Sequence, residues 1–308
     1  MNLGFIGLGT MGASMAANLQ RGGHQLVVSD IRREAAQPHL AAGAVWADTP
    51  QQVARQTEAV FTSLPGPAEV EEVALGEQGL LAGMTTGKAW FDLSTNSPTV
   101  MRRLAAAFAA RGVFALDSPV SGGPEGARAG QLALWVGGDA ETFERFQPAL
   151  RAIGDQAILV GPVGSGCVAK LVHNLASYAV QTALAEAFTL GVKAGVGALP
   201  LWKAVRQGAQ GRKRTFDRLA DQFLPHSYEP PAITLKLAHK DMSLITELAR
   251  EQRVPLHIGN RVLDEMTEAL NRGMGGLDCR AAMLLQEERS GVQIEVERTL
   301  LKDVLSTS

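Results

Sequence analysis

Lys170 and Asn174 stand four residues apart in Lys170-Leu171-Val172-His173-Asn174. On a helix that spacing puts them on one face. A lysine in so apolar a stretch has either a solvated head or a functional one. Burial would draw its pKa towards neutrality, because a low-dielectric surrounding disfavours the ammonium form. An amine tuned that way works as a general acid or base. His173 points elsewhere and reads as a packed, hydrogen-bonded histidine. Upstream, Asp117-Ser118-Pro119-Val120-Ser121-Gly122-Gly123 follows an apolar run. Ser121 supplies a hydroxyl, and Gly122 and Gly123 expose backbone N–H groups, a cradle suited to a carboxylate. Taken alone, that loop reads first as a turn of the chain. Lys236 and Lys240 share a helical face in Lys236-Leu237-Ala238-His239-Lys240-Asp241, and spacing alone describes a solvated helix edge.

A second group of residues addresses phosphate rather than protons. Gly4-Phe5-Ile6-Gly7-Leu8-Gly9-Thr10-Met11-Gly12 joins an apolar strand to a helix through Gly7-x-Gly9-x-x-Gly12. The first glycine permits a tight turn, the second lets a pyrophosphate approach the backbone, and the third lets helix and strand pack closely. The helix start offers free N–H groups and a positive dipole end. Asp30 lies 18 residues past Gly12, at the end of a second apolar run. A carboxylate there accepts hydrogen bonds from the adenosine ribose. Strand, glycines, helix, second strand and acid occur in order, which makes Gly7, Leu8, Gly9, Thr10, Met11, Gly12 and Asp30 a dinucleotide-binding set. Asp30 favours NAD over NADP, since it repels a 2′-phosphate. Arg32 and Arg33 soften that preference, so NADP is not excluded. Leu64-Pro65 and Ser94-Thr95-Asn96 each follow a strand at the carboxyl edge of the sheet, where open α/β folds bind ligands.

The elements that must carry these residues are legible in outline. Apolar runs at 3–6, 25–30, 59–64, 89–93, 113–116, 131–136 and 157–160 alternate with alanine- and charge-rich stretches. This rhythm predicts an α/β Rossmann domain with a parallel sheet covered on both faces. Ser97-Pro98 fits an N-cap with proline at the first helical position, and Gly112 fits the end of that helix. From Cys167 to about Ala194 the chain has no proline, and glycine only at Gly191. A helix of that length spans roughly 40 Å. It is apolar on most faces, which predicts burial between other elements. Helical patterns follow at 200–207, 215–223, 235–252, 260–272 and 277–290, with a loose charged tail after Glu295. The expected division is residues 1–162, a dinucleotide-binding domain, and 163–308, an all-α domain for substrate and assembly joined by the long helix.

Bulk properties narrow the partners. The chain has 308 residues, 46% hydrophobic and 19% charged, with a formal net charge of −2. Neither a nucleic-acid surface nor a membrane surface is suggested, and no apolar run approaches a membrane span. Cys167 and Cys279 are far apart with no metal-ligand spacing, so free thiols in a reducing, cytoplasmic setting and no metal are expected.

Taken together, these motifs resemble the β-hydroxyacid dehydrogenase family, in the branch of 3-hydroxyisobutyrate dehydrogenase and tartronate semialdehyde (2-hydroxy-3-oxopropionate) reductase. The likeness covers about residues 1–290 and rests on the glycine motif at 4–12, the loop at 117–123, Gly164-Ser165-Gly166 with Lys170 and Asn174, and Lys240-Asp241. The resemblance implies a Rossmann domain joined to a helical domain, NAD or NADP as cofactor, and reversible oxidation of a small 3-hydroxyacid or reduction of a semialdehyde acid. It implies Lys170 as acid/base, Asn174 as the residue orienting substrate, Ser121, Gly122 and Gly123 holding the carboxylate, and Thr95 and Lys240 near the nicotinamide. Members usually form homodimers or homotetramers through their helical domains.

Two departures bear on substrate. The stretches at 118–130 and 170–178 also resemble 6-phosphogluconate dehydrogenase, but Ser177 stands where that enzyme carries its second acid, a glutamate. Arg212 and Lys236 stand where the tartronate-type branch leads one to expect small or acidic substrate-facing residues. They point to a small anionic substrate with a second anionic or strongly polar group. An imine reductase on the same architecture would not need the Ser121 cradle, and a non-catalytic dinucleotide-binding module would not need Lys170.

Overall fold

The computed structural model describes residues 1–208, 211, 217–232, 234–251, 253–291 and 293–306. The chain divides into two compact units, Met1–Ala176 and Ser177–Ser308. The long helix Ser165–Lys193 runs through the point of division.

The first unit is built on one sheet. Its strands are β1 (Asn2–Ile6), β2 (Gln25–Ser29), β3 (Val45–Trp46), β4 (Ala59–Thr62), β5 (Ala89–Asp92), β6 (Phe114–Asp117), β7 (Val120–Ser121), β8 (Ala133–Gly137) and β9 (Gln156–Gly161). They lie in the order β3-β2-β1-β4-β5-β6-β8-β7, and β9 also pairs with β8. The pairs among β1–β6 are parallel, as the alternation of strands and helices predicts. Strand β8 runs antiparallel to β6 and β7. The order 3-2-1-4-5-6 is that of the doubly wound fold, with its switch point between β1 and β4.

Alternation within each strand feeds two cores. Leu3, Phe5, Leu26, Val28, Phe61, Phe91 and Leu116 enter one, and Ile6, Val27, Val60, Trp90 and Ala115 the other. Side chains on successive strand positions point to opposite faces, so a sheet covered on both sides needs apolar residues at every position. On one face Phe61 and Phe91 stack at 5.0 Å, and on the other Trp90 meets Phe108 at 4.9 Å. Helix Pro98–Ala109 begins as the sequence predicts: Val100 donates its N–H to Ser97 Oγ and Pro98 takes the first helical position. Gly112, at φ +67°, lies just past its end.

The second unit is helical. Its main elements are Ala198–Arg206, Leu235–Glu251, His257–Asn271, Leu284–Ser290 and Arg298–Ser306. Of the expected helix at 215–223, residues 215 and 216 lie outside the described residues and Asp217–Ala220 forms a 3₁₀ turn, and the stretch at 277–290 splits into the 3₁₀ turn Cys279–Met283 and helix Leu284–Ser290. The tail expected to be loose contains helix Arg298–Ser306. The long helix departs most from expectation. Val168, Leu171, Val172, Val180 and Val192 are exposed rather than buried. Apolar residues occupy nearly the whole circumference, and the elements packed on the helix cover only part of it. Among the described residues no helix is long and apolar enough to cross a membrane.

Candidate active site

The glycine turn folds where β1 meets helix Gly12–Arg21. Gly7 takes φ +92°, and a Cβ there would lie 2.3 Å from Ser63 O. A Cβ on Gly12 would lie 1.9 Å from Gly7 O, so strand and helix can pack only on glycine at both positions. Gly9 differs, because its α-carbon faces open space. That is the close approach a pyrophosphate needs. The space is a cleft of about 750 Å³ lined by Gly7, Gly9, Thr10, Met11, Gly12, Asp30, Leu64 and Pro65, among others. All eight were expected at the cofactor. Leu8 contributes through its backbone, donating its N–H to Asp30 Oδ2 at 2.6 Å.

Asp30 ties the end of β2 to the turn. Its Oδ1 accepts from Arg32 N at 2.8 Å, and Arg32 Nε lies 3.9 Å away. A carboxylate offers about four acceptor positions, so lone pairs remain for ribose hydroxyls. Arg33 is engaged elsewhere, 3.9 Å from Asp48 and over the Trp46 ring at 5.3 Å. Trp46 donates Nε1–H to Asp48 Oδ1 at 2.6 Å. Asp48 and Pro50 line this end of the cleft, and neither was foreseen. The two-residue strand β3 that carries Trp46 is too short to show a period in sequence.

Thr95 is exposed on the turn after β5. Asp92, fully buried at the end of that strand, holds the turn from below. Asp92 Oδ1 accepts from Thr62 Oγ1 at 2.9 Å and Ser94 N at 3.2 Å, and Oδ2 accepts from Asn96 Nδ2 at 3.0 Å. Burial pushes the Asp92 carboxyl up, against the opposing pull of these hydrogen bonds. Leu64 N donates to Ser94 Oγ at 2.9 Å, joining this turn to the loop that carries Pro65.

The Ser121 loop and the start of the lysine helix meet at Asp117. Gly122 and Gly123 take φ +138° and +64°, and helix Gly123–Ala129 begins there. Asp117 is fully buried, and its carboxylate accepts from Gly164 N at 2.6 Å and Cys167 N at 2.7 Å. Cys167 lies buried near both carboxylates. Burial first, then Asp117 and Asp92, pushes its thiol far above the usual range, so it stays protonated. One turn on, Lys170 is half-buried, and desolvation holds its amine below the ordinary lysine value. Asn174 is also half-buried, with His173 Nδ1 3.3 Å from its Oδ1. The His173 ring packs on Trp135 at 5.2 Å, the packed role expected of it.

Lys236, exposed, and Lys240 lie on helix Leu235–Glu251 of the second unit. Arg212 lies outside the described residues. The positioning carboxylates Asp92 and Asp117 are what sequence reasoning missed. Their signal is an aspartate closing an otherwise apolar strand, in Ala89-Trp90-Phe91-Asp92 and Phe114-Ala115-Leu116-Asp117.

Strand order, glycine turn and cleft define a dinucleotide-binding α/β protein. Comparison with known proteins sharpens this. Residues 2–161 match the family model for the NAD-binding domain of 6-phosphogluconate dehydrogenase. Residues 164–285 match that for the NAD-binding domain of NADP-dependent 3-hydroxyisobutyrate dehydrogenase. The chain is 33% identical to 2-(hydroxymethyl)glutarate dehydrogenase of Eubacterium barkeri, covering 96% of this chain and 97% of that one. It is also 33% identical to 3-sulfolactaldehyde reductase of Escherichia coli, covering 96% and 99%. A solved structure of Mycobacterium tuberculosis 3-hydroxyisobutyrate dehydrogenase with L-serine superposes with a TM-score of 0.64 at 29% identity, over 92% of this chain and 98% of that one. The chain belongs to the β-hydroxyacid dehydrogenase family and is an NAD(P)-dependent oxidoreductase.

Proposed function

We propose that this enzyme interconverts a small 3-hydroxyacid and its semialdehyde acid, with Lys170 as the general acid/base and NAD as the preferred cofactor. The observation that carries the reading is Lys170 itself: a half-buried amine, depressed by desolvation, one turn from a helix start bonded to the strand before the Ser121 loop. When bound, the nicotinamide supplies hydride acceptance or donation at its C4. In oxidation the neutral Lys170 Nζ takes the proton of the substrate hydroxyl. In reduction the protonated amine polarises the carbonyl oxygen and then donates to it. The Asn174 amide orients the reacting oxygen, and His173 bonded to its Oδ1 turns the amide N–H groups the other way. Ser121, Gly122 and Gly123 hold the substrate carboxylate. Thr95 and Lys240 act beside the nicotinamide.

Arg212 and Lys236 extend the preference to substrates with a second anionic or strongly polar group. The name of one relative supports this, since a glutarate carries two carboxylates. The exposed Val168, Leu171 and Val172 support assembly as a homodimer or homotetramer, which light scattering measures. A panel of mono- and di-anionic hydroxyacids and semialdehydes, assayed by absorbance with NAD(H), tests the substrate class. Equal turnover of mono- and di-anionic members, or an Arg212→Ala variant with unchanged KM, removes the second-anion assignment. Absence of turnover with every hydroxyacid removes the reaction itself.

A further inference from the structure

We infer that Asp117 is a positioning residue for Lys170, a carboxylate that never meets substrate but sets where the amine stands. The inference rests on the acid/base role given to Lys170 above.

The first turn of a helix leaves backbone N–H groups without intrahelical partners, and these are usually met by a side chain just before the helix. Here the partner comes from 47 positions away in the chain. Asp117 Oδ1 accepts from Gly164 N at 2.6 Å, and Oδ2 accepts from Cys167 N at 2.7 Å, bracketing the start of the helix. Two bonds to two separate residues fix both the advance of the helix along its axis and its rotation about it. The backbone is held as closely. A Cβ on Gly166 would lie 2.1 Å from Trp135 O and 2.8 Å from Asp117 O. Lys170 follows Cys167 by three residues, about 4.5 Å along the axis. No flexible segment intervenes, so a displacement of the helix start reaches the amine undiminished.

The same residue governs the other half of the site. Asp117 ends β6, and the Ser121 loop begins four residues later. One buried carboxylate therefore sets the separation between the group that grips the substrate carboxylate and the group that moves the proton. Misplacement of about 1 Å in such an arrangement is enough to cost roughly a hundredfold in rate.

Asp117→Asn tests this, because an amide turns a donor towards one of two N–H groups. The expected result is a kcat lower by roughly 10- to 100-fold, with the NAD(H) dissociation constant and the substrate KM within about twofold of the parent. The solvent deuterium isotope effect on kcat should rise, since an ill-placed amine makes proton transfer slow. A purely structural residue would reduce the active fraction and leave that isotope effect unchanged. Should Asp117→Asn not fold, Gly164→Ala carries the same test. Gly164 has φ +93°, and its added methyl would lie 2.8 Å from Arg102 Nε, displacing one donor without changing a charge. Unchanged kcat, or a lower kcat with an unchanged isotope effect, overturns the assignment of Asp117. Lys170→Ala run in parallel separates the two questions. Full turnover there overturns the lysine role and this inference with it, whereas an inactive Lys170→Ala leaves the lysine role standing and the Asp117 variants to decide the rest.

Discussion

Among the described residues, two helices are capped by a carboxylate from a distant part of the chain, one in each unit. Asp117 holds the start of Ser165–Lys193, and Glu186 accepts from His257, Ile258 and Gly259 N–H groups at 2.9, 3.0 and 3.2 Å, holding the start of His257–Asn271. The bonds are alike and their surroundings are not. Asp117 sits inside the sheet, whereas Glu186 remains accessible to water. Burying a charge is costly unless it is fully hydrogen-bonded, so the inner cap is the more demanding. Downstream of the inner cap stands a tuned amine. The difference teaches that a demanding cap is found where the position of one atom matters, and an undemanding one where only the helix does.

The comparison can be broken most sharply at Lys170. Lys170→Ala should lower kcat by about 10²- to 10⁴-fold, the usual contribution of a general acid/base, while NAD(H) still binds, as read by nucleotide fluorescence. If cofactor binding is lost as well, the helix carries structure rather than chemistry. The pH profile adds direction to this. Because desolvation lowers the Lys170 pKa, kcat for oxidation should rise with pH through a midpoint below the ordinary lysine value of about 10.4. Reduction should fall through the same midpoint, and a profile with no such limb excludes the amine.

Next in size is the cleft at the glycine turn, proposed to hold the cofactor, which lies in the same unit as the inner cap. Asp30→Ala removes the negative charge facing a 2′-phosphate and frees Arg32, so the NADPH-to-NADH ratio of kcat/KM should rise about tenfold, a difference of roughly 1.4 kcal/mol. An unchanged ratio shows that the carboxylate serves the turn alone.

The smallest effect belongs to the outer cap. Glu186→Ala should cost about 1 kcal/mol or less, a cap contribution reduced by solvent screening, and leave kcat unchanged. Burial pushes the Glu186 carboxyl up, but its bonds from Ile258, Gly259 and His257 and the His257 charge outweigh that and hold it below the ordinary glutamate value. A depressed folded pKa contributes stability that is fully present above the unfolded value, near about 4.3, and is lost as pH falls through the folded one. The melting temperatures of parent and variant should therefore converge in acid. A gap that persists at low pH would mean that the charge contributes nothing.

Much of the first unit is legible in the residues. Strands β1, β2, β4, β5 and β6 show themselves because a doubly covered sheet demands uninterrupted apolar runs, and Gly7 and Gly12 because no other residue fits. The strands β3 and β7, two residues each, leave no periodic trace. The two distant caps are equally hidden. Asp117 and Glu186 are ordinary acids in sequence, and only the fold brings them to their helices. The exposure of Val168, Leu171 and Val172 is hidden for a related reason. Composition states how apolar a helix is and says nothing of what covers it.

The position of β1 in the sheet has a consequence for synthesis. It pairs with β2 on one side and β4 on the other, so during synthesis it is flanked on both sides only when Thr62 has followed it from the ribosome. At roughly 5–20 residues per second, that interval is about 3–12 s. Throughout it Leu3, Phe5 and Ile6 lack one flank of the sheet, which makes this short segment the natural client of whatever shields nascent chains.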